Sequence, residues 1–87
     1  MSLQQADLTV ICDLWDLEAT EPLTATTIAQ LSTRGQYCKK MEYNTLYKRL
    51  LRLKECGYVV CGPNNGNKNT FMLTDEGCSF YAKYLSE

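Results

Sequence analysis

The chain contains no histidine in its 87 residues. That removes the side chain most used for general acid–base work and the nitrogen ligand of mixed zinc sites. The five cysteines (Cys12, Cys38, Cys56, Cys61 and Cys78) are odd in number and include no C-x-x-C spacing, so they outline neither a zinc site nor a complete disulfide framework. No glycine-rich loop of the kind that cradles phosphate is present. An enzyme is therefore not expected, and no cofactor or metal is implied. Long apolar runs are missing too. Nothing approaches the roughly 18 residues of a membrane-spanning helix, and the basic-then-apolar layout of a signal peptide is absent. The expectation is a cytoplasmic protein without membrane contact, its thiols reduced and mostly structural.

Another absence is local. The first 33 positions carry no basic residue, only Asp7, Asp13, Asp16, Glu18 and Glu21, a block charge of −5. Positions 34–68 carry eight basic residues against Glu42 and Glu55, giving +6, and the remainder contributes −2 to the net −1. A low overall charge thus hides a basic segment, which is what polyanion binding requires. Apolar and charged contents of 45% and 22% are ordinary for a globular protein. A chain this short has room for one core, so a single domain over 1–87 is expected, with oligomerisation a natural aid to stability.

Ser2 followed by Gln5 suggests a capping box for a first helix. Leu3, Ala6, Val10, Leu14 and Leu17 recur at helical spacing, with Ile11 and Trp15 widening the stripe and Trp15 expected as a core anchor. Asp7 and Asp13 fall off the stripe and are expected in solvent. Pro22 disfavours helix in the residue before it, so the helix should end near Glu18. Leu23 is expected to make a short strand contact, and Thr24 to cap a helix over 25–32. A loop over 33–41 follows, longer than the usual helix-turn-helix connection of about 3–4 residues. Tyr37 and Met41 are candidates to pack back from it onto the core. Beside Lys39 and Lys40, Cys38 is the best candidate for a lowered thiol pKa, the alternative being an incidental loop cysteine.

The centre of the chain is the most informative part. Leu46, Leu50 and Leu53 line one face of a helix over about 43–56, and Gly57 supplies a stop that tolerates positive φ. Two β-prone runs, 58–61 and 70–73, flank a tip rich in Gly, Pro and Asn, as in a hairpin over about 58–73. Thr74, with Asp75 and Glu76 behind it, caps a last helix. Helix then hairpin is the order of a recognition helix and wing. The expected fold is α+β, mostly α with a small β-hairpin: a three-helix core, a wing and a C-terminal helix. Thr45-Leu46-Tyr47, Leu50, Leu53, Gly57-Tyr58-Val59 and Leu73-Thr74-Asp75-Glu76-Gly77 resemble the pattern of PadR-like and MarR-like winged helix-turn-helix regulators. That resemblance implies double-stranded DNA as partner, transcription regulation as function, and dimerisation through the C-terminal helix.

On a helical wheel Asn44, Thr45, Lys48 and Arg52 lie away from the leucine face, with Tyr43 at its flank. Asparagine can pair with adenine, and lysine or arginine with guanine or phosphate, so these residue types suit a major groove. Lys39, Lys40 and Lys68 would take flanking phosphates, and the wing-tip Asn65 and Asn67 phosphate or sugar. Phe80 and Tyr84 form a second aromatic face on the last helix, expected to meet the first helix of a twin subunit. The competing reading is a winged-helix module that binds protein instead, favoured by the acidic first third and the nearly neutral wing tip.

Overall fold

The computed structural model describes residues 3–64, 66 and 68–86. Helix α1 (Gln5–Asp16) is followed by a 3-10 turn at Pro22–Thr24, strand β1 (Thr26–Thr27) and helix α2 (Ile28–Arg34). A second 3-10 turn, Cys38–Lys40, leads into helix α3 (Tyr43–Glu55), and the hairpin of β2 (Val59–Cys61) and β3 (Thr70–Leu73) follows. Helix α4 (Asp75–Phe80) runs on into a wider π-type turn, Tyr81–Leu85. The fold is the expected α+β winged helix. None of the helices among the described residues is long and apolar enough to cross a membrane.

One apolar cluster holds these elements together. Val10, Ile11 and Leu14 of α1 meet Ile28 and Leu31 of α2, the three leucines of α3, and Val59, Phe71 and Leu73 of the sheet. Leu46, Leu50 and Leu53 are completely buried, as their spacing predicts. Each such side chain contributes about 1.5–3 kcal/mol of apolar transfer energy, so α3 is fixed chiefly by this stripe.

The N-terminal half departs from expectation at its caps, its short strand and Trp15, among other places. Gln4 precedes α1 as its N-cap, and its backbone N–H donates to Asp7 Oδ2 at 2.8 Å, whereas Ser2 lies outside the described residues. Leu23 makes no strand contact and is 96% exposed in its 3-10 turn. The strand is instead Thr26–Thr27, paired antiparallel to β3 and completing a three-stranded sheet of order β1-β3-β2. Thr27 rather than Thr24 caps α2: its hydroxyl accepts the Gln30 N–H at 3.1 Å while Gln30 Oε1 accepts the Thr27 N–H at 3.0 Å. This reciprocal box outweighs the lone Thr24 signal and moves the helix from 25–32 to Ile28–Arg34. Trp15 is a lid and not a core anchor, 38% exposed with one face stacked on Tyr81 at 4.6 Å.

The C-terminal half follows the sequence closely. The hairpin register pairs Val59 with Leu73, Val60 with Met72 and Cys61 with Phe71. Thr74 Oγ1 accepts the Gly77 N–H at 3.0 Å and donates to the Gly57 carbonyl at 2.6 Å, so the cap of α4 also grips the exit of α3. Phe80 is less available to a partner than expected, since its ring packs on Tyr58 at 4.9 Å and joins the core. Tyr84 remains exposed beyond it.

Candidate nucleic-acid interface

Helix α3 presents two opposed faces because its apolar residues keep strict helical spacing. With the leucines turned inward, Asn44, Thr45 and Lys48 stand exposed, and Tyr43 more so than the flank position suggests, at 63%. Tyr47, absent from the expected set, is exposed as well and lies along Tyr43 with ring centroids 6.5 Å apart. The two rings and Lys68 line one groove between α2, α3 and the hairpin, about 220 Å³ in volume. Thr45, Lys48, Arg49 and Arg52 line a second, more basic cleft of about 360 Å³.

Asp7 and Asp13, expected in solvent, are both 0% exposed. Each serves the basic segment. Asp7 lies against α3, with Oδ2 3.4 Å from Arg52 Nε and Oδ1 3.5 Å from Arg49 Nη1. Arg49 Nη1 also donates to Gln4 Oε1 at 2.6 Å. Arg52 is therefore half-buried and paired from behind, unlike the freely projecting Lys48. A buried carboxylate is tolerable only with such partners.

Asp13 secures the long loop before α3. Its carboxylate accepts three backbone N–H groups: Gln36 at 3.1 Å, Tyr37 at 2.9 Å and Cys38 at 2.6 Å. Gly35 passes so close that a Cβ there would meet Asp13 Oδ2 at 2.6 Å. This pin explains how a connection longer than the usual turn is ordered, and it holds the Cys38–Lys40 turn with Lys39 and Lys40 exposed on it. Met41 packs back onto the core as expected, while Tyr37 stays exposed. The thiol expectation is reversed. Cys38 is fully buried, and burial first, then its hydrogen bond to Asp13 and that residue's charge, push the thiol pKa well above its ordinary value. Lysines on the solvent side do not offset a carboxylate on the inside.

At the wing, Gly62 N–H donates to the Thr70 carbonyl at 3.0 Å, and Thr70 Oγ1 donates to the Pro63 carbonyl at 2.6 Å, closing the base of the tip. Lys68 and Asn69 are exposed beyond it; Asn65 and Asn67 lie outside the described residues. The arrangement thus brings Tyr43 and Lys68 to one groove and Thr45, Lys48 and Arg52 to another, with Asn44 on the same helix and Lys39 and Lys40 on the preceding turn. Arg49 and Tyr47 lie outside the expected set because neither is on the face opposite the leucines: Arg49 flanks the stripe and Tyr47 sits on a shoulder of the helix. The run Tyr43–Tyr47 at i, i+4 was the available signal for the latter.

The arrangement is that of a winged helix whose third helix and wing share a polar, basic flank. Among solved structures, TubR from Bacillus megaterium pBM400 superposes with a TM-score of 0.80 at 16% identity, covering 99% of this chain and 90% of that one. The solution structure of the DNA-binding TubR fragment from Clostridium botulinum gives 0.69 at 22% identity, covering 91% and 93%. At these identities the likeness establishes a shared fold over nearly the whole chain. No protein-family model matches the sequence, and no curated protein matches it.

Proposed function

We propose that the protein is a sequence-specific double-stranded DNA-binding regulator of transcription, acting as one winged-helix domain over 1–87 in the cytoplasm. The observation that carries this reading is the exposed Asn44–Thr45–Lys48 face of α3, set between a lysine-bearing turn and a wing. Its fold is shared with a TubR fragment that is described as DNA-binding. The α3 face would enter a major groove, Asn44 reading a base edge, with Tyr43, Thr45 and Lys48 beside it and Arg52 held half-buried behind. Lys39, Lys40 and Lys68 would rest on flanking phosphates, as would the amides of Asn65 and Asn67. Membership of the PadR-like or MarR-like regulators is supported by the residue pattern alone. A homodimer through α4 and α1 is supported by the exposed Tyr84.

The second reading, a protein-interaction module, is favoured by one feature. An open cleft of about 650 Å³ is lined by Trp15, Asp16, Glu18 and Glu21. Fluorescence anisotropy of labelled duplexes at several salt concentrations separates the two. Neutralising about three to five phosphates per subunit gives a log–log slope of about −2.7 to −4.5, from about −0.9 per phosphate. Lys48→Ala should reduce that slope by about one unit on every sequence. Asn44→Ala should cost about 1–3 kcal/mol on a selected site and little on random DNA. A duplex affinity insensitive to salt and to both substitutions would leave the protein-interaction reading.

A further inference from the structure

We propose that the cleft between Thr45, Lys48, Arg49 and Arg52 is a built seat for one phosphate of the bound duplex. Arg49 is its principal donor, and Asp7 and Gln4 are positioning residues. The inference rests on the DNA-binding reading above and adds to it Asp7 of α1 and its N-cap Gln4, from the helix farthest in sequence from the wing.

Three observations converge. First, three cationic side chains and one hydroxyl line a single cleft of about 360 Å³. They stand at positions i, i+3, i+4 and i+7 of α3, one continuous strip of that helix. Second, the strip is backed by a carboxylate that solvent does not reach, with Asp7 0% exposed and 3.4–3.5 Å from the two guanidinium groups. Third, Gln4 Oε1 accepts from Arg49 Nη1 at 2.6 Å, and the Gln4 N–H in turn donates to Asp7 Oδ2 at 2.8 Å. Asp7, Gln4 and Arg49 therefore form a closed ring of contacts, anchored in the first turn of α1.

A guanidinium has five N–H donors in a fixed planar fork, and it matches phosphate oxygens two at a time. On a free surface arginine must lose rotamer freedom to use that fork. Here Gln4 and Asp7 hold the Nη1 side of Arg49 while the residue still lines the cleft, so less freedom is lost when a phosphate enters. Lys48 adds a mobile point charge, and Thr45 a hydroxyl donor. Asp7 also prevents the two arginines from repelling each other, which allows two positive charges to share one small cleft.

The positioning role can be told apart from simple charge. Removing a carboxylate near a DNA-binding face makes the protein more positive and should tighten binding to any duplex. Loss of positioning does the opposite. The experiment is anisotropy of a labelled random-sequence duplex across a salt series, with the unmutated protein, Arg49→Gln, Asp7→Asn and Gln4→Ala, each checked for native circular dichroism. Arg49→Gln should reduce the slope by about one unit and weaken binding about tenfold at low salt. Asp7→Asn should weaken binding despite its more positive charge. Should Asp7→Asn not fold, Gln4→Ala tests the same role without a charge change and should also weaken binding. An unchanged slope in Arg49→Gln, while the unmutated protein binds, overturns the phosphate seat. Tighter binding by Asp7→Asn, or unchanged binding by Gln4→Ala, overturns the positioning role. Absence of binding by the unmutated protein removes the DNA reading itself, and is visible before any variant is examined.

Discussion

Helices α1 and α3 are nearly the same length, 12 and 13 residues, and both combine an apolar stripe with charged residues. They use those charges in opposite ways. On α3 the wheel is obeyed: leucines go in and Asn44, Thr45 and Lys48 go out. On α1 the expected solvent placement of Asp7 and Asp13 fails: both are completely buried, Asp7 falling between Leu14 and Ile11 inside the apolar arc and Asp13 at its edge beside Ala6. The difference comes from what each helix faces. The polar side of α3 meets solvent, whereas two acids of α1 lie within or at the edge of its inward face, which meets the basic half of the chain, where backbone N–H groups and guanidiniums need acceptors. Amphipathicity reports which residues are apolar, and it does not report which polar residues have found partners inside.

The sharpest way to break this comparison is to treat both helices as ordinary. Asp13→Ala would leave the N–H groups of Gln36, Tyr37 and Cys38 without their acceptor, an expected loss of about 3–5 kcal/mol in chemical denaturation. Leu50→Ala on α3 should cost about 2–5 kcal/mol through the cavity it leaves. Either loss is a large share of the total stability of a domain this size, about 4–13 kcal/mol. Asp16→Ala, on the exposed end of α1, should stay within about 0.5 kcal/mol of the unmutated protein. Equal small effects for Asp13→Ala and Asp16→Ala would show that Asp13 contributes no more than a solvated acid.

What the sequence made legible follows the same division. Leu46, Leu50 and Leu53, the stop at Gly57, the turn-rich tip and the Thr74 cap are local signals, and each appears at its expected place. The exposed polar face of α3 could be read because it depends only on the phase of its own helix. The pins from α1 could not, because Asp13 lies 23 to 25 positions from its N–H donors and Asp7 more than 40 from its arginines. The α2 boundary is an intermediate case. The Thr27–Gln30 box was present in the sequence, but Thr24 offered a competing cap, and only the pairing of Thr26–Thr27 with β3 decides between them.

The reversed thiol gives a smaller effect that sharpens the contrast at the α1 contact. Cys38 has its pKa raised in the folded state by burial and by Asp13, and ionises at its ordinary value when unfolded. Below that ordinary value, about 8.5, both states hold the proton and the thiol leaves stability unchanged with pH. Above it the unfolded state releases the proton first, so stability falls by about 1.4 kcal/mol per pH unit until the folded thiol also ionises. Urea melts between pH 8 and 10 should therefore fall more steeply for the unmutated protein than for Cys38→Ala. Cys12 and Cys78 are also raised, but they are common to both proteins and cancel in the difference. Parallel curves would place Cys38 in contact with water.

The smallest expected effect concerns how the two helices end. Both close with the same pair of backbone bonds. At α1, Ala19 N–H reaches the Leu14 carbonyl at 2.9 Å and Glu18 N–H that of Trp15 at 2.9 Å. At α3, Tyr58 N–H reaches Leu53 at 3.0 Å and Gly57 N–H reaches Lys54 at 3.1 Å. This motif needs one left-handed residue, filled by Gly57 with φ 85° in α3 and by Glu18 with φ 59° in α1. Glycine takes that conformation without strain, whereas a side chain opposes it by roughly 1 kcal/mol. A carboxylate at a helix C-terminus is unfavourable for a second reason, the negative end of the helix dipole. Gly57→Ala should therefore destabilise by about 1 kcal/mol, even though no atom lies within 4 Å of the added methyl. Glu18→Gly should act in the opposite direction, raising Tm by about 4 °C if it recovers 0.5–1 kcal/mol. A fall in Tm for Glu18→Gly would mean that the carboxylate makes a contact at the acidic cleft worth more than its strain. Opposite signs for the two exchanges would establish that α3 is closed by the residue best suited to its exit and α1 by one that is not.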